Sequence, residues 1–569
     1  MSALINTLDN TSKSQIGENG HLEYGYSNNL QEKILQFNFQ LTRTLDMTEL
    51  YNVLNNLLFT LKNMVNSEQK KEYLCVLYKM IGHTRDIING KGEYNLTYMM
   101  IYVWYLHYPN LALYALKCLV ESEDVVHQYG SWKDIKYFCE YCKNKDLSLS
   151  HPLILYSIEL TNTRIKKDYM NLKENNNNIS LAAKWVPREK SSFSWIYEKL
   201  CTHYFPEYIK TVHSFESNQK AMLKCKTEYR KILSQLNKKL DTLQIKQCGQ
   251  TWQNINFNNV TSVSFSKQKK AFLNIKKNGD VKYPNNKDRV TCATNFSEFI
   301  TNSIKDDTNI KGKCVGMESF TKQALDLINS RYKSTLEIDL LNSQWKNNSS
   351  NTNTLCNMIA MVDVSGSMSG DPLHAAIALG IRVAEKSKLG KRVMTFSSTP
   401  EWVNLENCLD FVSMVNTIQT SSWGTSTNFY SALNLVLNAI IENKMEPKDV
   451  ENMTLVIFSD MQINDAYEQP LSFYDNIKQK YHDAGMKSFG IPYNPPHILF
   501  WNLRSTSGFP NLSTEKNTYM MSGFNPSLLN LFCDVGLNAF KEYTPWSTML
   551  KTLNHTRYYC LENKILSAL

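Results

Sequence analysis

Met361-Val362-Asp363-Val364-Ser365-Gly366-Ser367-Met368-Ser369 is the stretch on which the fold turns. It closes an apolar run, Asn357–Val362, and leads into helical spacing over Pro372–Lys386. A strand, a polar turn and an amphipathic helix in that order open a βαβ unit. The cadence continues downstream with a strand at Arg392–Phe396, a helix at Asn428–Ile441 and a strand at Leu455–Phe458. A helix at Tyr474–Ala484, a strand near Lys487–Ile491, a short strand at Tyr519–Ser522 and a helix at Asn525–Phe532 follow. Alternation of this kind predicts a doubly wound, mostly parallel sheet with helices on both faces. Ligands of such sheets bind beyond the carboxyl ends of the strands.

Three connecting loops of the predicted sheet carry oxygen ligands. The first is the D-x-S-x-S turn with Asp363, Ser365 and Ser367. The second, Trp423-Gly424-Thr425-Ser426-Thr427-Asn428-Phe429, opens a helix and offers Thr427. The third is the end of Leu455-Val456-Ile457-Phe458-Ser459-Asp460. Ser and Asp also favour helix N-termini, so capping alone is the plainer account of the first loop. Together, however, three hydroxyls and two carboxylates suit a hard divalent cation, Mg²⁺ or in its place Mn²⁺ or Ca²⁺. Asp363 and Asp460 would balance its charge and leave it electrophilic enough to take a carboxylate from a partner. The neighbouring helix N-terminus repels a cation, so both carboxylates should be needed.

Working outward, the chain has 569 residues, 42% hydrophobic and 20% charged, a composition that builds large cores and excludes a mainly disordered or collagen-like chain. About 60 asparagines, with abundant Lys, Ile and Tyr, reflect coding bias and not a binding site. No run of about 18 uninterrupted apolar residues occurs, so no membrane span is expected. The most apolar stretch, Leu96–Val120, is interrupted by His107, Pro109, Asn110 and Lys117 and reads as buried helix. Thirteen scattered cysteines and a polar N-terminus without an apolar signal core point to a reducing intracellular setting. Cys139 and Cys142 form a C-x-x-C without the second pair that a zinc site requires.

From about Leu30 to Leu340 apolar residues recur at three- and four-residue intervals, predicting an all-helical bundle or a curved, HEAT-like array of helix pairs. The expected organisation is a polar tail over 1–27, a helical domain over 28–340, a linker over 341–354 and the sheet domain with a helical extension over 355–569. The net charge of +9 is concentrated between Lys220 and Arg289, a stretch with sixteen Lys/Arg and four Asp/Glu. Lys224, Lys226, Arg230, Lys231, Lys238, Lys239, Lys246, Lys267, Lys269 and Lys270 lie there as candidate phosphate contacts for RNA. A solvated helix face is the competing account. Lys184, Arg188 and Lys190 beside Trp185 form a second basic motif, in which base stacking competes with a Trp buried at a Pro turn.

The three ligand loops in their strand-and-helix context resemble the metal-ion-dependent adhesion site of von Willebrand factor A domains, over about residues 355–535. The resemblance implies Asp363, Ser365, Ser367, Thr427 and Asp460 as the metal set. It favours Thr427 over Thr425 because Thr427-Asn428-Phe429-Tyr430-Ser431-Ala432-Leu433 resembles that family's Thr followed by Ala-Leu. Four further stretches are distinctive: Ile179–Lys190, Tyr229–Leu240, Thr84–Glu93, and Gly508-Phe509-Pro510 with Met521-Ser522-Gly523-Phe524. With these, the chain resembles a family of plant, fungal and large-DNA-virus proteins carrying a domain of unknown function, over about residues 25–560. More distantly, helices followed by an A domain resemble the Ro (TROVE) ribonucleoproteins, whose helical ring binds RNA.

The resulting expectation is a non-enzymatic binding protein. Its A domain would hold a cation and recruit an acidic protein ligand, and its helical half would bind RNA. A metal-dependent phosphoester hydrolase is the first alternative. It needs further carboxylates, for which Asp371 and Asp465 are nearest in sequence. A structural or virion-packaging role is the second.

Overall fold

The strongest apolar runs of the C-terminal half meet in one six-stranded sheet. The computed structural model describes residues 14–18, 20, 22–121, 128–210, 214–306, 308, 310–355, 357–421, 424, 428–462, 473–533 and 544–568. Its strands are β1 (Ser14–Ile16), β2 (Leu22–Tyr24), β3 (Met358–Asp363), β4 (Arg392–Phe396), β5 (Glu401–Asn404), β6 (Thr454–Ser459), β7 (His497–Asn502) and β8 (Thr518–Ser522). The sheet order is β5-β4-β3-β6-β7-β8, parallel throughout except for the antiparallel edge strand β5. Side-chain alternation divides the two faces. Met361, Leu455, Ile457, Ile498, Phe500 and Met520 enter one core cluster, which also holds the helix Phe429–Glu442. Ala360, Val362, Val456, Phe458, Leu499 and Trp501 enter the other, under the helix Asp371–Lys386. That helix lies so close to β3 that a Cβ on Gly380 would fall 2.4 Å from Val362 Cγ2.

The N-terminal half is helical, as its periodicity predicts. Leu30–Gln40, Thr48–Lys62, Ser67–Arg85, Tyr94–His107, Pro109–Cys118, Trp132–Asn144, Pro152–Lys173, Ser194–Tyr204 and Phe215–Lys239 are the main helices of the first part. Pro109 starts a new helix where its missing N–H costs nothing, which divides the long apolar stretch in two. Their core is continuous with one face of the sheet. Ser262–Phe272 and Lys287–Lys305 build a separate phenylalanine-rich core around Phe257, Phe265, Phe272 and Phe296.

Several distinctive sequence stretches meet where the helices join the sheet. The Lys91 ammonium donates to the carbonyls of Asn38 (2.5 Å) and Leu41 (3.2 Å) and to Ser522 Oγ (2.6 Å). Gln40 donates to the Gly508 carbonyl, and Phe509 pairs through its backbone with Tyr24. Arg557 grips the buried Asp86 carboxylate through two hydrogen bonds, of 2.6 and 2.9 Å. That pair ties the C-terminal helices Pro545–Leu553 and Tyr559–Ala568 to Ser67–Arg85. Thr84–Glu93, Gly508–Pro510 and Met521–Phe524 therefore serve as junction.

Three expectations are corrected. The presumed linker 341–354 is mostly helix, within Thr335–Ser349, with Leu341, Gln344, Trp345 and Asn348 buried. Its polar residues are internal partners: Asn348 Oδ1 accepts from Arg382, and Trp345 Nε1 donates to Glu385 while its ring stacks on Phe411 at 3.9 Å. Within the presumed tail, β1 and β2 form an antiparallel pair docked beside Phe509. The strand expected near Lys487–Ile491 is instead the end of the helix Phe473–Phe489 and its exit turn; the strand is β7, fully buried. Phe320 and Leu341 also carry core packing across the expected boundary at 340.

Candidate metal centre

Pairing of β3 with β6 sets Val362 opposite Phe458, so both strands end together with their carboxylates at the same edge. Asp363 is fully buried. Its Oδ1 accepts from the Ser365 N–H at 2.9 Å and its Oδ2 from Ser459 Oγ at 2.6 Å. The backbone turns at Gly366–Met368, which brings Ser365 Oγ and Ser367 Oγ within 3.1 Å of each other. Asp460, also fully buried, accepts from the Gln462 N–H at 3.1 Å and is hydrogen-bonded by Ser367. Four of the five expected ligands therefore converge. Thr427 lies outside the described residues, as do Thr425 and Asp465; the flanking Asn428 N–H donates to the Ser397 carbonyl just beyond β4.

Burial and the neighbouring Asp460 charge push the Asp363 carboxyl up to about 7. Burial also raises Asp460, against the opposing pull of Arg504. The Arg504 Nε lies 3.1 Å from Asp460 Oδ2, and Arg504 also pairs with Glu18 at 2.5 Å. Glu18 belongs to the β1–β2 hairpin, and its N–H donates to Gln462 Oε1 at 2.8 Å. Arg504, Ser459, Gln462 and Glu18 were not foreseen as members of the site. Ser459 and Gln462 had a signal, since they flank Asp460 at a strand end; Arg504 and Glu18 come from distant loops and had none.

The donor set passes a chemical test for a hard cation: two buried, mutually repelling carboxylates beside paired hydroxyls. It is not a histidine or thiolate site, and among the described residues no group of three or more His, Cys, Asp or Glu is placed to hold a metal. Asp371, a candidate for additional metal chemistry, is engaged by Arg43 at 3.2 Å.

Comparison with known proteins places this edge in a shared framework. Residues 357–556 match a domain of unknown function, DUF7788, and residues 158–348 match a second domain of unknown function, DUF2828. Over 506 residues the chain is 30% identical to an uncharacterised protein, L728, of Acanthamoeba polyphaga mimivirus, covering 86% of this chain and 80% of that protein. The chain belongs to the same family. The first matched region holds the whole six-stranded sheet and its two carboxylates. The second holds all ten basic residues singled out from the charge run.

Those ten do not form one patch. Lys224, Lys231 and Lys238 recur at seven-residue intervals on the exposed side of Phe215–Lys239, with Lys239 beside them. Several are internally compensated: Lys226 pairs with Glu198 (2.7 Å), Arg230 with Glu189 (3.5 Å), Lys231 with Glu228 (2.8 Å) and Lys246 with Asp241 (3.1 Å). Lys224 sits 4.0 Å above the Tyr208 ring. Lys269 is turned inward, 3.7 Å from the buried Glu337 and bonded to Gln323, so its expected role as a solvent-facing phosphate contact is corrected. Lys267 and Lys270 lie on the same helix, Ser262–Phe272, Lys267 exposed and Lys270 half-buried. Cys139 and Cys142 are buried in the helical core.

Proposed function

We propose that this chain is a non-enzymatic recruitment protein whose sheet edge holds a divalent cation and takes an acidic side chain from a protein partner. The reading treats the six-stranded sheet as a von Willebrand factor A domain and the Asp363–Ser367 turn as its metal-ion-dependent adhesion site. One observation carries it: two fully buried carboxylates, Asp363 and Asp460, meet at adjacent strand ends beside hydroxyls 3.1 Å apart. Without a cation, such a pair costs energy through desolvation and mutual repulsion. Asp363 and Asp460 would supply the charge, and Ser365, Ser367 and Thr427 neutral oxygens. Bound there, Mg²⁺ supplies Lewis acidity toward an incoming carboxylate. Arg504 lies 3.1 Å from Asp460 Oδ2 and would have to share that oxygen with a bound cation, while Glu18 would stay paired with Arg504 at the rim.

A hydrolase would need additional carboxylates at the metal; Asp371, the described candidate nearest in sequence, is held by Arg43, and Glu18 is paired with Arg504. No helix among the described residues is long and apolar enough to cross a membrane. The test is calorimetric titration of the full chain with Mg²⁺. Saturable binding should disappear in Ser365→Ala/Ser367→Ala and in Asp460→Asn. Absence of binding to the wild type, together with an unchanged melting temperature in Mg²⁺, would sink the proposal.

A further inference from the structure

The helix Trp132–Asn144 has a face that the cation site does not employ. Trp132, Ile135, Phe138, Cys139 and Cys142 point into the core. Lys133, Lys136, Tyr137, Glu140 and Lys143 recur at three- and four-residue intervals on the other side. There, cations and aromatic rings interleave. The Lys133 ammonium lies 5.8 Å from the Tyr94 ring centre and 5.1 Å from that of Tyr137. Lys136 lies 4.7, 5.7 and 4.8 Å from the rings of Tyr137, Trp185 and Phe193. Lys184 lies 5.6 Å from Trp185, and Lys143 lies 5.4 Å from Trp195. Tyr94 is exposed, and Tyr137, Trp185, Phe193 and Trp195 are half-buried, so their edges or faces meet solvent. Trp185 is thus neither the buried core residue nor the fully open platform that its sequence allowed.

The neighbouring acids are committed elsewhere. Asp134 is held by Arg85 and Tyr98, Glu140 by the Trp195 indole, and Glu189 by Arg230. The nearest charges on Lys133 include another cation, Lys267. Burial and that neighbour lower the Lys133 ammonium below its usual range, burial and Lys133 do the same to Lys136, and burial lowers Lys184. Asp134, already shared with Arg85, offsets this only in part at Lys133, and half-buried like charges are a cost that a bound polyanion lowers. The surface also continues. Lys184 and Arg188 line a cavity of about 340 Å³ against the helix Phe215–Lys239, with Arg230, Asn237 and Gln244 on its walls. The Gln244 Oε1 is buried there without a hydrogen-bond partner.

We propose that this face and the adjoining groove bind single-stranded nucleic acid, with bases on Tyr137, Trp185 and Phe193 and phosphates on Lys133, Lys136 and Lys184. Stacking rings between cations suit an unpaired strand, whose bases are exposed, and offer nothing comparable to a duplex or a lipid headgroup. The inference does not depend on the cation site, and it locates the contact away from the most exposed part of the charge run.

The test is fluorescence anisotropy of a labelled oligouridine titrated with the full chain in EDTA as KCl is raised. Saturable binding is expected, and Lys133→Gln/Lys136→Gln should reduce the log–log salt slope by about 1.4, because two phosphates are no longer neutralised. Trp185→Leu should weaken binding by about tenfold. Lys231→Gln/Lys238→Gln should leave it little changed, and duplex RNA and phosphatidylserine vesicles should compete poorly. No oligouridine binding by the wild type overturns the proposal. So does loss confined to the Lys231/Lys238 pair, or equal competition by duplex or vesicles. Photocrosslinking of thiouridine-containing RNA to the wild type removes dependence on variants that fail to fold. Adducts at Tyr137, Trp185 or Phe193 support the site, and adducts confined to the exposed side of Phe215–Lys239 that carries Lys224, Lys231 and Lys238 refute it.

Discussion

Replacing Asp363 by Asn should stabilise the cation-free protein at neutral to basic pH. Asp363 is fully buried, and burial with the Asp460 charge moves its carboxyl from an ordinary value of 3.8 to about 7. Because the folded value is raised, the native state holds the proton longer than the unfolded chain. The associated stability is complete below the unfolded value and is lost as pH rises through the folded one. A shift of about three units corresponds to about 4 kcal/mol of unfavourable ionisation, at roughly 1.4 kcal/mol per unit. Asn carries no charge, and both existing contacts survive: its Oδ1 can accept from the Ser365 N–H, and its amide can donate to Ser459 Oγ. Thermal unfolding in EDTA should therefore show Asp363→Asn melting above the wild type at about pH 8 and level with it at about pH 4. Mg²⁺ should raise the wild-type midpoint at the higher pH and leave that of the variant unmoved. A variant less stable than the wild type at the higher pH, with Mg²⁺ stabilising both alike, would refute the electrostatic reasoning.

Two further outcomes test the frame that holds this site. Gly380→Ala forces a Cβ to 2.4 Å from Val362 Cγ2 in a closed core and should cost about 1–3 kcal/mol, with Val362→Ala restoring part of it in thermal melts; a neutral Gly380→Ala would show that the helix can move off β3. Arg557→Leu leaves the buried Asp86 carboxylate without its bidentate partner and should cost about 3–5 kcal/mol, read as faster amide exchange in Tyr559–Ala568 and Ser67–Arg85. Exchange unchanged in both helices would mean that apolar packing alone holds the C-terminal helices in place.

The distinctive stretches Thr84–Glu93, Gly508–Pro510 and Met521–Phe524 show how a motif can be visible without its role being visible. Their residues are unusual because Lys91 must reach three acceptors at once and because Phe509 continues a backbone pairing from Tyr24. These are packing demands between distant segments. A conspicuous sequence is therefore as compatible with a seam as with an active surface, and here the seam accounts for them.

The sequence by itself determined β3, β4, β6 and β8, the position of Asp363 and Asp460 at strand ends, and the helical character of the first half, but neither the edge strand β5 nor the place of β7. Those features rest on local periodicity and on runs of apolar residues, which are properties of neighbours in the chain. Tertiary structure decided the rest, because it depends on partners far away in sequence. The polar stretch Leu341–Ser349 is helix because Arg382, Glu385 and Phe411 receive its side chains. The Lys220–Arg289 charge is partly cancelled because Glu189 arrives from a turn and Glu198 from another helix. Arg504 and Glu18 reach the carboxylate pair only when β7 ends beside β6 and the β1–β2 hairpin docks on the same edge. Lys133 and Lys136 gain their significance in the same way, when Tyr94 folds against the first and Trp185 and Phe193 against the second. Local pattern specifies elements, whereas charge compensation is settled only between them.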